Sequence, residues 1–232
     1  MKTQEKVLIV QHSEDDPPGS LLEWLDSKAI PYSIHHANLN TDYPDCRSWT
    51  WLIILGGAPN VDQEKRYPWL VAEKKFIRQA LDSHQKILGL CLGAQLIADQ
   101  LGASVHRHDQ WEVGWHKVSI DSTHPLFKDS PAEIEVFQYH AYRFHLPSGA
   151  QRISANSICD DQAYVYGDRV VGFQFHPEAT TVWMKECLSS LSDDRDIAGP
   201  AVQSPLQIAE QMGKQVQLQS WFFNFLNRFL NA

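Results

Sequence analysis

The stretch KILGLCLGAQLIADQLG, from Lys86 to Gly102, passes directly from an apolar, strand-like run into residues with helical spacing. Between the two lies Gly89-Leu90-Cys91-Leu92-Gly93, which has the form G-x-C-x-G. This is the cysteine counterpart of the G-x-S-x-G turn that presents a nucleophile where a strand becomes a helix. Glycines flanking so tight a turn remove Cβ atoms that would collide, while the middle residue takes a strained backbone conformation. The motif predicts Cys91 as a nucleophile, although most unpaired cysteines are simply small core residues.

The surrounding pattern indicates the fold in which this turn lies. Strand-like and helix-like segments alternate through the first hundred residues, which is typical of a mostly parallel sheet covered by helices on both faces. From about residue 103 to residue 175, short strands follow one another with turn residues between them. We therefore expect a three-layer α/β fold with a flavodoxin-like, mostly parallel sheet and added antiparallel strands, and a site at the carboxyl edge of that sheet.

Composition excludes several other classes of protein. The 232 residues carry a net charge of −8 without a cluster of basic residues, which argues against nucleic-acid binding. The N-terminal apolar run, residues 7–10, is short enough to be a first strand, and no run approaches membrane-spanning length, so we expect neither a signal peptide nor membrane association. The four cysteines are widely spaced, which favours a reducing, cytoplasmic location.

The chain length predicts one large domain with an extension. We divide it into a catalytic domain, 1–192, and a C-terminal loop and helical extension, 193–232, packed on the same domain. The last predicted helix has an apolar face that we expect to pack on its own chain, with a homodimer surface as the alternative.

A second motif lies at the end of another apolar strand, in VVGFQFHPEAT, residues 170–180. A cysteine nucleophile needs a base that takes its proton, and the base needs a partner that fixes its tautomer. His176 would leave the sheet edge beside Cys91, and the rigid Pro177 would allow Glu178 to turn back to the imidazole. An ordinary strand-to-helix turn is the alternative, but the coincidence of both motifs favours a Cys/His/Glu triad.

A third strand end, LIILGGAPN, carries Gly56 and Gly57. A backbone amide of this loop, together with the amide of Leu92, would form an oxyanion hole for acyl transfer. A simple turn is the other interpretation of two adjacent glycines.

Taken together, these segments resemble the class I glutamine amidotransferases, of the stand-alone type similar to the glutaminase part of GMP synthase. The resemblance rests on the elbow and on His-Pro-Glu, with weaker support from the segments 112–115 and 202–212. It implies Cys91 as nucleophile, His176 as general base and acid, and Glu178 as the residue that orients His176.

The resemblance also implies the residues that bind substrate and oxyanion. The amides of Gly57 and Leu92 would hold the oxyanion, and the implied substrate-binding residues are Gly56, Gln95, Tyr139 and His140. Here Tyr139-His140-Ala141-Tyr142 stands where the family has Ser/Trp-His-Gly-Asp, and Gly-Gly-Ala-Pro replaces Gly-Gly-Pro.

Two enzymatic functions follow from the resemblance. One is a glutaminase that releases ammonia through a γ-glutamyl thioester and supplies a separate synthetase. The other is a free-standing hydrolase of γ-glutamyl peptides or γ-glutamyl amines. A redox sensor that uses Cys91 on the same fold is a third interpretation, which does not require His176 and Glu178.

We predict neither a metal site nor a bound cofactor. Histidine pairs such as His35-His36 lack a carboxylate or cysteine at ligand spacing. The sequence also contains no glycine-rich phosphate loop.

Overall fold

The computed structural model describes residues 6–83, 85–193 and 197–232. The strands are β1 (Val7–Gln11), β2 (Tyr32–His36), β3 (Trp51–Ile54), β4 (Lys86–Leu90), β5 (Val105–Ser119), β6 (Glu133–Phe144), β7 (Ala150–Ser154), β8 (Ala163–Tyr166) and β9 (Val170–Phe173). The α-helices are α1 (Ser20–Ser27), α2 (Trp69–Asp82), α3 (Leu92–Gln100), α4 (Thr181–Asp193), α5 (Pro205–Glu210) and α6 (Gln215–Leu230).

Seven strands form the central sheet in the order β2-β1-β3-β4-β9-β8-β7. The first five of these are parallel to their neighbours, whereas β8 and β7 continue the sheet in antiparallel fashion. Strands β1, β3 and β9 are buried along their whole length, as expected for parallel strands covered on both faces. The α/β fold predicted from the sequence is confirmed.

Alternate residues of each buried strand face different layers of helices. Val7 and Ile9 of β1 pack with α1, α4, α5 and α6, whereas Leu8 and Val10 pack with α2 and α3. This alternation follows from the two-residue period of a strand. It gives three layers, with the carboxyl ends of β1, β3, β4 and β9 meeting at one edge.

Strands β5 and β6 differ from the sequence prediction, which added the antiparallel strands to the main sheet. They form a separate two-stranded ribbon, and β5 is one strand of 15 residues where two short strands were expected. The register shifts between Arg107 and Glu112, and this irregularity interrupts the sequence alternation that would have marked a single strand. The ribbon places Glu112, Tyr139 and His140 beside the sheet edge.

The C-terminal helices pack on the same core as α1. The residues of α6 buried there are Leu218, Trp221, Phe222, Phe225, Leu226 and Phe229. Lys86 donates hydrogen bonds from Nζ to the carbonyls of Phe229 and Leu230, at 2.9 Å each, which satisfies the end of the helix. The apolar face of α6 is thus covered by its own chain, and the domain division and the homodimer stay predictions.

Among the described residues, no helix is both long enough and apolar enough to cross a membrane.

Candidate active site

The elbow has the geometry that its glycines predict. Cys91 lies just before α3 with φ 49° and ψ −107°, a strained conformation for a residue with a side chain. A Cβ on Gly89 would lie 2.6 Å from the amide nitrogen of Ala94, and one on Gly93 would lie 2.1 Å from the carbonyl oxygen of Ile54. Backbone packs against both glycines, so the turn excludes any side chain at either position.

The second motif lies next to the elbow because β9 pairs with β4. The Cys91 amide donates to the carbonyl of Phe173 at 2.7 Å, which ties the two strand ends together. His176 Nδ1 lies 2.8 Å from Glu178 Oε1, and the side chain of His176 also interacts electrostatically with that of Cys91. All three residues are buried, with Cys91 7% exposed and His176 3% exposed. The structure therefore brings the three predicted side chains into one continuous chain of contacts.

His176 is a stronger base here than a histidine in water. Burial alone would lower its pKa, but the charges of Glu178 and Cys91, with hydrogen bonds to both, raise the pKa well above its ordinary value. An imidazolium is therefore stabilised beside the sulfur. Such an arrangement suits a group that accepts the thiol proton and later gives a proton to a leaving group.

Replacing Glu178 with glutamine should lower the pKa of His176. Because the wild-type pKa in the fold lies above the unfolded value, charged His176 contributes stability that is full below about pH 6.5 and is lost as pH rises through the folded pKa. We expect the loss of unfolding free energy in Glu178→Gln to be largest below pH 6.5 and to shrink at high pH. Urea unfolding across pH, with an NMR titration of His176, tests this; a pKa of His176 that does not move would contradict it.

The two residues predicted to supply the oxyanion amides border the same cavity. Gly57 and Leu92 line one cavity together with Cys91. Within residues 6–83, 85–193 and 197–232, the N–H of neither Gly57 nor Leu92 has a protein acceptor. Backbone N–H groups that are fixed in place and not committed to the protein are the usual donors to a tetrahedral oxyanion.

Gly56 is held close to the triad. A Cβ at this position would lie 2.8 Å from His176 Cε1 and 3.6 Å from Cys91 Cβ. Because the imidazole is buried and fixed by Glu178, it cannot move away without losing its alignment. Gly56 thus lies directly against the side chains of His176 and Cys91.

Gly56→Ala should reduce kcat by about 10²-fold, as expected for a displacement of about 1 Å at reacting groups. Amide hydrolysis and Cys91 alkylation by iodoacetamide would both slow, because the methyl group displaces His176. Gly149→Ala, at an exposed turn between β6 and β7, is a control for general loss of stability. Full activity in Gly56→Ala would show that the imidazole is less constrained than its contacts indicate.

Two cavities meet at Cys91. The first, of about 580 Å³, extends over His176 and is bordered by Asp15, Asp16, Trp183 and Glu186. The second, of about 330 Å³, extends over Leu92 and Gln95 to the β5–β6 ribbon. Gly57, Ala58 and Tyr139 line both. Cys91 therefore borders two adjoining cavities, one that reaches His176 and one that reaches Gln95.

Of the implied substrate-binding residues, Tyr139 borders both cavities. Gln95 and His140 border the second cavity and also make hydrogen bonds within the protein. Gln95 donates from Nε2 to the carbonyl of Tyr142 at 3.0 Å. His140 Nδ1 lies 3.1 Å from the same carbonyl, and its Nε2 lies 3.2 Å from Glu112 Oε2. The geometry supports a role for Gln95 and His140 in holding the Tyr142 carbonyl at the wall of the second cavity. Burial raises the pKa of Glu112, but its contacts with His140 and Asn156 outweigh this and bring the pKa below its usual value.

Sequence reasoning missed Gln174, Asp16 and the pair His12–Glu73. Gln174 donates from Nε2 to Cys91 Sγ at 3.7 Å and accepts from Gln95 at 3.2 Å. Burial raises the pKa of Asp16, partly offset by His176 and His12. Only Gln174 had a local signal, since it is a polar residue in the apolar run that leads to His176.

No group of three or more His, Cys, Asp or Glu residues in the described part of the chain has the geometry of a metal site.

The fold and the site define an α/β protein with a cysteine elbow, a histidine–glutamate pair and free backbone amides at one sheet edge. Residues 25–188 match the family described as glutamine amidotransferase class-I. The chain belongs to this family.

Several relatives are similar over most of the chain. The glutamine amidotransferase-like protein YfeJ of Salmonella typhimurium is 25% identical over 97% of this chain and 94% of its own length. A glutamine-hydrolysing GMP synthase subunit of Thermoplasma acidophilum is 31% identical over 66% of this chain and 72% of its own. A crystal structure of a glutamine amidotransferase from Thermotoga maritima is 27% identical, with a TM-score of 0.89 over 99% of this chain and all of that one.

Proposed function

We propose that this chain hydrolyses the side-chain amide of glutamine through Cys91, His176 and Glu178. The observation that carries the proposal is that two features meet at Cys91: the buried His176–Glu178 pair, and Gly57 and Leu92, which border the same cavity as Cys91 and whose amides have no acceptor among the described residues. A core cysteine would need none of these neighbours. A redox sensor would not need a histidine and a glutamate aligned behind the sulfur, so the geometry favours an acyl-transfer enzyme.

The reaction follows from the positions of these groups. His176 takes the thiol proton as the Cys91 sulfur forms a bond to the amide carbon, and the amides of Gly57 and Leu92 stabilise the oxyanion. When the tetrahedral species collapses, the C–N bond breaks, and the imidazolium of His176 protonates the nitrogen, which leaves as ammonia. Water then adds to the γ-glutamyl thioester after giving a proton to His176, the C–S bond breaks, and glutamate is released with the thiol restored.

A second candidate function is favoured by the first cavity. In a γ-glutamyl peptide or γ-glutamyl amine, the leaving group is larger than ammonia and needs space on the His176 side of Cys91. The cavity of about 580 Å³ offers that space, and its acidic border of Asp15, Asp16 and Glu186 would attract an amine. Ammonia, the leaving group from free glutamine, does not need a space of this size.

The two functions also differ in the partner they require. Ammonia release is useful where a separate synthetase accepts the ammonia, and some relatives are named as subunits of a glutamine-hydrolysing GMP synthase. A hydrolase of γ-glutamyl amines would act alone on a small-molecule substrate. We propose a cytoplasmic location for either, based on the reduced cysteines.

Ammonia, amine and glutamate release by the purified chain would separate these functions. The substrates are glutamine, γ-glutamyl dipeptides and γ-glutamyl diamines, with Cys91→Ala as the blank. We expect glutamine to be hydrolysed; preference for the diamines, lost in an Asp16→Asn variant, would establish the second function instead. If none of these compounds is hydrolysed, the proposed hydrolase activity of the isolated chain is wrong.

A further inference from the structure

A second buried histidine–carboxylate pair lies directly behind the Gly56–Gly57 loop. His12, at the end of β1, and Glu73, on α2, are 61 residues apart, and both side chains are fully buried. His12 Nε2 lies 2.8 Å from Glu73 Oε1, and His12 Nδ1 lies 2.7 Å from the carbonyl oxygen of Gly56. The ring also stacks on Trp69, with centroids 5.5 Å apart.

The hydrogen-bond partners of His12 determine where the protons are. A carbonyl oxygen can only accept, so His12 Nδ1 must carry the hydrogen that it donates to Gly56. The hydrogen bond between His12 Nε2 and Glu73 Oε1 then needs a second proton, carried by one of these two atoms. The pair therefore holds one more proton than a neutral imidazole beside an ionised carboxylate would. Burial lowers the pKa of His12, but Glu73 and the Gly56 carbonyl outweigh this and raise it above its ordinary value.

The Gly56 carbonyl and the Gly57 N–H belong to the same peptide group. No cis peptide bond occurs in the described residues, so the two point in opposite directions. Holding the oxygen towards His12 therefore holds the N–H of Gly57, a residue that borders the cavity with Cys91, in the direction away from His12. A hydrogen bond at one end of a peptide group also polarises it and strengthens donation from the other end.

We infer that His12, supported by Glu73, is a positioning residue that orients and polarises the peptide whose N–H receives the oxyanion. The inference rests on the proposed function, because it assigns His12 a part in that reaction. The His12–Glu73 pair differs from His176–Glu178 in what its histidine contacts: the hydrogen bonds of His12 go to Glu73 and to the carbonyl of Gly56. Two adjacent glycines would otherwise leave this peptide free to turn, and the buried pair opposes that rotation.

Three variants separate the two effects of the His12–Glu73 pair, which are to orient the Gly56–Gly57 peptide and to polarise it. His12→Ala removes both and should lower kcat by about 10²-fold, the usual cost of weakening an oxyanion donor. Glu73→Gln and His12→Asn each keep a donor to Gly56 but lose the charge, so we expect losses of about tenfold. KM should change less than about twofold, because the interaction acts in the transition state. The two milder variants preserve the test if His12→Ala does not fold.

His35→Asn is a matched control. His35 is also buried, lies 2.9 Å from a backbone carbonyl, that of Asn40, and contacts an aromatic ring, that of Tyr43, but borders neither cavity. It should lose similar thermal stability and keep kcat. Alkylation of Cys91 by iodoacetamide needs no oxyanion hole, so its rate should be unchanged in all four variants. Equal losses of kcat in His12→Asn and His35→Asn, or parallel loss of alkylation, would overturn the inference.

One measurement is independent of catalysis. The amide ¹⁵N shift of Gly57 should move in His12→Ala and His12→Asn, and stay in place in His35→Asn, because the Gly56 carbonyl loses or changes its donor. An unmoved Gly57 shift would overturn the inference even in an active enzyme. If the shift moves but the wild type hydrolyses no γ-glutamyl compound, the peptide contact stands and the proposed function fails.

Discussion

Cys91→Ala is expected to abolish amide hydrolysis, with a loss of at least about 10⁴-fold in kcat. No other described group is positioned to form the thioester. Alanine has the same Cβ as cysteine, so the strained conformation at φ 49° costs no more than before, and the fold should be kept. Ammonia release together with circular dichroism and thermal unfolding would measure both expectations.

The control for Cys91→Ala is Cys159→Ala. Cys159 is also unpaired and buried, and burial raises the pKa of its thiol to about 11, which makes it inert at neutral pH. This variant should keep full activity. Turnover by Cys91→Ala at more than about a thousandth of the wild-type rate, in a preparation shown by mass to be free of wild type, would reject Cys91 as the nucleophile.

His176→Asn is expected to cost about 10³- to 10⁴-fold in kcat, because both proton transfers pass through the imidazole. Unlike the His12 variants, it should also slow alkylation of Cys91, since the variant lacks the base that accepts the thiol proton. Residues that act as a unit are not additive, so Cys91→Ala/His176→Asn should be no less active than Cys91→Ala alone. Unchanged alkylation at neutral pH in His176→Asn would contradict the assigned contact between ring and sulfur.

The elbow and the parallel sheet were predictable because their signals are local. Gly89 and Gly93 mark positions where backbone packs against backbone, and this requirement is visible in five consecutive residues. The parallel strands are continuous apolar runs in the sequence because both faces are covered. His176 and Glu178 are two residues apart, so their contact also follows from local sequence.

The parts that escaped prediction depend on distant contacts. Nothing near His12 in the sequence indicates that Glu73, on another element, forms a pair with it. Strand β5 was predicted as two short strands because the irregularity between Arg107 and Glu112 breaks the period of two on which strand prediction depends. The first cavity arises from the approach of the loop at Asp15 to α4, where Trp183 Nε1 donates to the Asp15 carbonyl at 2.8 Å.

The most direct test of the proposed chemistry is to trap the acyl-enzyme. The wild-type chain would be mixed with glutamine or a γ-glutamyl amine, quenched in acid within milliseconds to seconds, and examined by intact-mass and peptide-mass spectrometry. We predict a mass increment of one γ-glutamyl group on the peptide that contains Cys91, absent from Cys91→Ala. The experiment would be repeated with Glu178→Gln. Turnover without this adduct in both proteins, or an adduct on another residue, would contradict the assignment of Cys91 as the nucleophile.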